Sequence, residues 1–152
     1  MQLKGGGFNR TGSRTPMQWN RDKNAGFSKC DKDKLYLPIQ EDGINVEEQL
    51  IDDSSLLTLM KKLIKLRKSS HALSNDGDIE FLNRKYNGYP LIYKRNGSDG
   101  EYLICINPLD KRQNFSFGLK NAKIIMENDE AKVTDNEITL EPMSYAIIKL
   151  HD

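Results

Sequence analysis

Carboxylates are the groups this sequence supplies most freely for chemistry. Asp31, Asp33, Glu47, Glu48, Asp52 and Asp53 crowd a short stretch of the first half. Paired carboxylates are what general acid–base work, or attack on an acetal carbon, requires. Exposed carboxylates also solvate any loop, and surface charge is the ordinary reading of each one. The other reactive side chains are sparse. Cys30 and Cys105 form no CxxC pair, and a reduced, buried or half-buried thiol is expected at each. His71 and His151 stand alone and read as surface or helix-end residues. Gly5-Gly6-Gly7 has neither a preceding strand nor a following Gly-Lys-Ser/Thr, so it is no phosphate loop. The acidic turn from Asn96 to Glu101 lacks calcium-loop spacing. Tyr86, Tyr89, Tyr93 and Tyr102 are aromatic enough for a sugar platform, but strands favour aromatics anyway. No metal and no cofactor is called for.

Whatever positions these groups is a modest, polar chain. It has 152 residues, 37 % hydrophobic and 30 % charged, with a net charge of +1 and a mean hydropathy of −0.68. Interspersed charges of both signs give no electrostatic reason to expect nucleic acid or an acidic membrane. No apolar run approaches the ~20 residues of a membrane span, and Met1 to Gly7 lacks the apolar stretch of a secretory signal. The expected location is cytoplasmic, which leaves the sequons at Asn9, Asn96 and Asn114 as chance occurrences.

The elements divide into two unlike halves. Residues 1–50 hold few periodic apolar runs and many Gly, Asn, Asp and Lys, which predicts a long loop shaped by something else. From Asp52 the pattern becomes helical. Asp53-Ser54-Ser55 offers N-cap side chains, and Leu56, Leu59, Met60, Leu63 and Ile64 follow at helical spacing. Leu57 and Leu66 widen that apolar face, while Lys61, Lys62, Lys65 and Lys68 form the wet side. One helix is predicted from Ser54 to Lys68, with a face wide enough to need a substantial partner.

Beyond Ser69 the text reads as short strands and turns. Strands are predicted at Ile79–Leu82, Leu91–Arg95, Glu101–Asn107, Gln113–Phe117, Lys123–Met126, Glu137–Glu141 and Met143–Leu150. A turn over Asn96–Gly100 makes the second and third a hairpin. This spacing predicts an antiparallel sandwich over roughly Gly77 to Leu150.

Gly12-Ser13-Arg14-Thr15-Pro16-Met17-Gln18-Trp19, followed by Asn24-Ala25-Gly26-Phe27-Ser28, resembles a signature of the α-amylase superfamily (glycoside hydrolase family thirteen). The likeness is to its oligo-1,6-glucosidase and trehalose-synthase-like members. Leu35-Tyr36-Leu37-Pro38, Asn45-Val46-Glu47-Glu48-Gln49, Leu63-Ile64-Lys65-Leu66-Arg67 and Ala72-Leu73 continue in that family's order. The motif match runs from about Gly7 to Leu73, and the remainder follows by pattern only.

The resemblance implies a mainly-β fold: a C-terminal antiparallel β-sandwich preceded by one helix and a long loop left over from a truncated (β/α)₈ barrel. Residues 1–75 would be the end of the barrel, its loop after strand eight and its eighth helix, and residues 76–152 the sandwich. The family's carboxylate nucleophile, acid/base and third Asp sit on barrel strands four, five and seven. No carboxylate here lies in a motif matching those strands, so no catalytic residue is assigned. Substrate contact is assigned to Arg14 first, whose fork can hold a carboxylate and sugar hydroxyls together. Gln18 and Trp19 follow, although a loop Trp is more often packing. Asn20 stands where many relatives carry Asp, which removes one charge from any loop-bracing ion pair. The implied partners are an α-glucoside or oligosaccharide in the full-length parent, and the missing barrel. A homodimer through the exposed helix face is the other way to cover it. The rival reading is a free-standing β-sandwich that binds glycans or protein partners.

Overall fold

The computed structural model describes residues 14–40, 43–83, 88–119 and 121–150. The expectations attached to Gly5-Gly6-Gly7, Asn9, Tyr86 and His151 lie outside them. Compactness divides the chain into two units, Met1–Leu63 and Ile64–Asp152, and the division falls within a helix. The fold is mainly β: two helices accompany eight strands, all paired antiparallel, among the described residues.

The first unit is more structured than its composition suggests. The continuous loop predicted before Asp52 is interrupted by tight turns at Lys23–Gly26 and Lys32–Lys34 and by a six-residue helix, α1 (Val46–Ile51). Six residues are too few to show apolar periodicity, which is why the pattern missed α1. Its start is nevertheless written in Asn45-x-x-Glu48: the Asn45 side chain accepts the Glu48 N–H at 3.0 Å, an N-cap bond.

Helix α2 (Leu56–Lys68) opens two residues after the expected Ser54. Asp52 holds Ser54 in a separate turn, accepting its N–H at 2.8 Å and its hydroxyl at 2.6 Å. Ser55 then caps the helix, its Oγ accepting the Thr58 N–H at 3.1 Å, while Gln49 Oε1 accepts that of Leu57 at 3.0 Å. Lys65, Arg67 and Lys68 in the last turn suit the negative end of the helix. The ridge of Leu56, Met60 and Ile64, spaced by four, is left exposed.

The second unit carries the sandwich. Strands β1 (Asp78–Phe81), β2 (Leu91–Gly97), β3 (Gly100–Asn107), β5 (Ala122–Glu127) and β8 (Ser144–Leu150) form one sheet in the order β1-β2-β3-β8-β5. The second sheet is β4-β7-β6, from β4 (Gln113–Ser116), β7 (Glu137–Leu140) and β6 (Lys132–Val133). Register explains the core. Ile92, Cys105 and Ala146 lie in one cross-strand row, and Leu103 and Ile148 in another. These side chains meet Leu119, Ile138 and Leu140 in one buried cluster. Each fully buried Leu or Ile contributes roughly 1.5–3 kcal/mol.

Several boundaries differ from expectation for local reasons. The β2–β3 turn is tighter than Asn96–Gly100: Gly97 pairs with Gly100 and only Ser98-Asp99 lies between. Met143 has φ 52° and its N–H is donated to Leu109 O at 2.8 Å, so β8 starts at Ser144. β1 lies one residue earlier than read, β4 stops at Ser116, and β7 stops at Leu140 before Pro142. The two-residue β6 was too short to show alternation.

Candidate functional site

The segment that resembles the family signature is pinned from two directions. The Trp19 N–H is donated to Ala25 O at 2.8 Å, and that of Asn20 to the same oxygen at 3.4 Å. From the other side the first two amides of α1 reach back, Val46 to Gln18 O at 3.0 Å and Glu47 to Trp19 O at 2.9 Å. These are helix-end donors with no partner inside the helix. The segment 18–19 and the start of α1 therefore satisfy each other. The first helical bond, from Gln49 N to Asn45 O at 3.2 Å, completes the junction.

The turn under Trp19 is left-handed. Asn24, Ala25 and Gly26 have φ of 56°, 54° and 69°. Asn tolerates this region and Gly is indifferent to it, but Ala pays roughly 1–2 kcal/mol. Asn24 is buried, and its amide nitrogen donates to Ser28 O at 2.9 Å and Cys30 O at 2.8 Å. A Cβ at Gly26 would come within 2.4 Å of Asn20 Oδ1 and 3.2 Å of Trp19 Cβ, so the turn presses on the signature segment.

Charges brace the surroundings. Arg21 holds Glu48 in a two-pronged ion pair, Nε to Oε1 at 2.6 Å and Nη2 to Oε2 at 2.9 Å. The Arg21 hydrogen bond first, and the Asn45 side chain second, hold the Glu48 carboxyl below its ordinary value. Asn20 makes a local turn, accepting the Asp22 N–H and donating to its carboxylate, both at 3.0 Å. The loop-bracing ion pair thus comes from Arg21 rather than from position 20.

The assigned residues lie as follows. Gln18 is half-buried against Gly43. With its amide nitrogen facing the loop it donates to Gln40 O at 3.1 Å and Ile44 O at 3.2 Å. Trp19 follows it directly, its backbone fixed and its side chain 49 % exposed. Arg14 is exposed, and no ion pair joins it to another described residue. The carboxylates are spoken for or solvated: Asp31 faces Lys23 and Lys34, Glu48 faces Arg21, and Asp52 faces Ser54. Asp33, Glu47 and Asp53 are exposed. None of the six is set against another as acid and base.

Both cysteines are free. Cys30 is half-buried beside Ser28, and burial pushes the Cys105 thiol up to about 12, which leaves it unreactive. Among the described residues no group of three His, Cys, Asp or Glu side chains is arranged to hold a metal ion. No helix among them is long and apolar enough to cross a membrane. The arrangement can present a half-exposed indole on a braced backbone and a guanidinium to a ligand; no two of the six carboxylates form a proton-transfer pair. Asn24 and Ala25 entered the sequence analysis only as part of the family signature, and their left-handed turn was not foreseen. The signal was available in Asn-x-Gly, two left-handed formers around one residue that is not.

Residues 3–76 match the family model described as "Alpha amylase, catalytic domain", and the chain belongs to the α-amylase family. Within it, the chain is 29 % identical over 141 residues to a glucan 1,6-alpha-glucosidase of Streptococcus dysgalactiae subsp. equisimilis, covering 93 % of this chain and 26 % of that one. It is 32 % identical over 140 residues to a probable oligo-1,6-glucosidase 2 of Bacillus subtilis, covering 88 % and 24 %. It is also 32 % identical over 108 residues to a trehalose synthase/amylase of Mycobacterium tuberculosis, covering 67 % and 18 %. Among solved structures it is similar to an isomaltulose synthase of Erwinia rhapontici NX5 in complex with D-glucose. That likeness has a TM-score of 0.75 and 29 % identity, over 94 % of this chain and 26 % of that one. The chain thus spans about a quarter or less of the length of these relatives.

Proposed function

We propose that this chain serves an enzyme that cleaves or transfers α-linked glucose by the retaining route, to which it contributes part of the sugar pocket, the last barrel helix and the C-terminal sandwich. Residues 1–75 are assigned to the barrel end and 76–152 to the sandwich. The observation that carries the reading is the match of residues 3–76 to the family's catalytic domain. The named activities of the relatives, on 1,6-linked glucans and on trehalose, indicate the substrate class. Retaining chemistry needs two carboxylates roughly 5–5.5 Å apart across the scissile bond. The six candidates discussed above do not supply that pair, so the chemistry is assigned to residues outside this chain. The exposed ridge of Leu56, Met60 and Ile64 is the face on which barrel strands would pack. Arg14, Gln18 and Trp19 are assigned to the glucoside, with Arg14 nearest the non-reducing end.

The test has two arms. The chain alone should release no glucose from maltose, isomaltose, sucrose or trehalose. Turnover that survives repurification and vanishes on mutating one of its carboxylates would overturn the assignment. Joined to the rest of a relative's catalytic domain, Arg14→Ala should cost on the order of 2–5 kcal/mol, the range for truncating one partner of a buried hydrogen-bonded charge pair. At ~1.4 kcal/mol per decade that is ~30-fold or more in kcat/KM. Arg14→Lys should also be poor, because an ammonium cannot make a two-pronged contact. Wild-type kinetics in both variants would make Arg14 a bystander.

A further inference from the structure

We propose that Asn24 and Ala25 are positioning residues, whose left-handed turn fixes the Trp19 indole in one orientation for stacking against a pyranose ring. The ring rests on the function proposed above; the positioning stands apart from it. Three consecutive residues are left-handed and only one is glycine. A turn needed merely to reverse the chain has cheaper solutions, since non-glycine residues persist in this region only where their surroundings over-determine them. The return on the strain is visible in the bonds. Left-handed backbone at Ala25 aims its carbonyl at the amides of Trp19 and Asn20 together, at 2.8 and 3.4 Å. The Ala25 side chain is buried and makes no polar contact that could offset the strain. Asn24 anchors the turn to the segment that follows through Ser28 O and Cys30 O.

Trp19 is gripped on its other side by α1, through Glu47 N at 2.9 Å. Its N–H and C=O are both engaged, while its side chain remains half open. A fixed backbone carrying a half-open indole suits a stacking platform, because only the two χ angles of the ring then remain to be ordered on binding.

Trp19 is the only tryptophan in the chain, so its fluorescence reports on this turn alone. Acrylamide quenching and time-resolved anisotropy of the full chain provide the test, with amide exchange of β3 and β8 confirming that the sandwich stays folded. Asn24→Ala removes both anchoring donors and the left-handed preference. It should raise quenching roughly twofold, the ratio of an open indole to a half-exposed one, and enlarge the fast anisotropy decay. Should that variant lose the loop outright, the pair at position 25 decides. Ala25→Gly accepts the left-handed backbone and should keep the wild-type signature; Ala25→Val resists it and should behave as Asn24→Ala does. Wild-type quenching and anisotropy in Ala25→Val, with the sandwich intact, would overturn the proposal. Isomaltose titrated against the enzyme completed with a relative's catalytic domain tests the ring separately. No change in Trp19 emission there, with the indole still fixed, would count against stacking and leave the positioning intact.

Discussion

The Asp99 carboxylate accepts the amide N–H of Ala72 at 2.8 Å, and so ties the tip of the β2–β3 hairpin to the turn that follows α2. The contact belongs to a clasp. Arg95 donates from Nε to Ala72 O at 3.0 Å and from Nη2 to Ser74 O, gripping the same turn from the neighbouring strand. Ala72 is fully buried between two glycines. A Cβ on Gly97 would stand 2.3 Å from its nitrogen, and one on Gly77 2.1 Å from its oxygen. The clasp is made by Ala72, Ser74, Gly77, Arg95, Gly97 and Asp99, small or polar residues whose spacing shows no apolar period. Ala72-Leu73 entered the family resemblance, but its role became visible only once the hairpin was folded against it.

Removing the carboxylate should loosen the clasp without unfolding the sandwich. Asp99→Ala should cost ~0.5–2 kcal/mol, the range for deleting a side-chain acceptor at a helical turn. The wild-type contribution should also depend on pH. Folding holds the Asp99 carboxyl below its ordinary value, chiefly through the Ser70 hydroxyl, with burial opposing it and the backbone amides adding to it. The unfolded chain therefore binds that proton more tightly. The stabilisation is complete above the unfolded value of ~3.9 and disappears as pH falls through the lower folded value. Urea melts of wild type and Asp99→Ala should accordingly differ at pH 7 and converge in strong acid. Equal stability at pH 7 would remove Asp99 from the clasp.

Gly97→Ala is a harsher change. The methyl would meet the Ala72 nitrogen and α-carbon at 2.3 and 2.5 Å and the His71 carbonyl carbon at 2.9 Å, all backbone atoms that cannot rotate away. Overpacking of this kind typically costs 1–3 kcal/mol, and the close approach predicts the upper part of that range. A thermal melt of the full chain should show it as a lowered transition. Gly118→Ala, where nothing lies within 4 Å of the added carbon, is the control and should melt like wild type.

How much was legible follows from where the apolar residues sit. The strands from Leu91 to Asn107 and from Glu137 to Leu150 were legible because each buries one face of a periodic pattern, Ile92, Leu103, Cys105, Ile138 and Ile148 among them. Helix α2 was legible from its apolar spacing, although none of its residues is buried. α1 and β6 were not, because two turns of helix or two residues of strand are too short for a period to show. The first unit was opaque for another reason. Its described structure is organised by backbone bonds to carbonyls, such as those of Gln18, Trp19 and Ala25, and backbone bonding leaves little trace in residue type. Asn24 and Asn45 are exceptions whose residue type does carry the signal, since Asn marks left-handed turns and N-caps alike, though neither role was read from the sequence.

Asn107 joins the end of β3 to the end of β7. It is buried, and its amide nitrogen donates to Glu141 O at 2.7 Å and Lys111 O at 2.9 Å, while Oδ1 accepts the Leu109 N–H at 3.2 Å. Asn107→Ala would strand these groups, at ~1–3 kcal/mol for each buried one left unsatisfied. Asn107→Asp keeps the acceptor for Leu109 but sets a buried carboxylate against the Lys111 and Glu141 carbonyls, so it should restore that one bond without making the protein more stable than Asn107→Ala. Amide exchange at Leu109 should separate the two variants: fast in Ala, slow in Asp. The same exchange rate in both would show that Oδ1 contributes nothing.

The two units should also differ in resistance to proteases. In the second, Ile92, Leu103, Leu119, Ile138, Leu140 and Ile148 are all at or below 1 % exposure and share one core. In the described part of the first, Ala25 is the one buried hydrophobic residue, accompanied by the polar Asn24, Asn45 and Ser55. Its larger apolar side chains face out, Trp19 at 49 %, Ile44 at 77 %, Ile51 at 85 % and Leu56 at 69 %. Ordering each backbone residue costs ~1–2 kcal/mol, and one methyl with a handful of hydrogen bonds offsets less of that than the sandwich core does, so the first unit forms its turns but opens more often. Limited proteolysis of the chain alone should therefore trim the first fifty or so residues and leave a resistant core beginning near α2. Molecular mass by light scattering, measured beside the digest, gives the result its meaning. Uniform resistance in a monomer at micromolar concentration would refute the uneven stability. Uniform resistance in a dimer would instead indicate that a second copy covers Leu56, Met60 and Ile64, the cover that the proposed function assigns to a barrel.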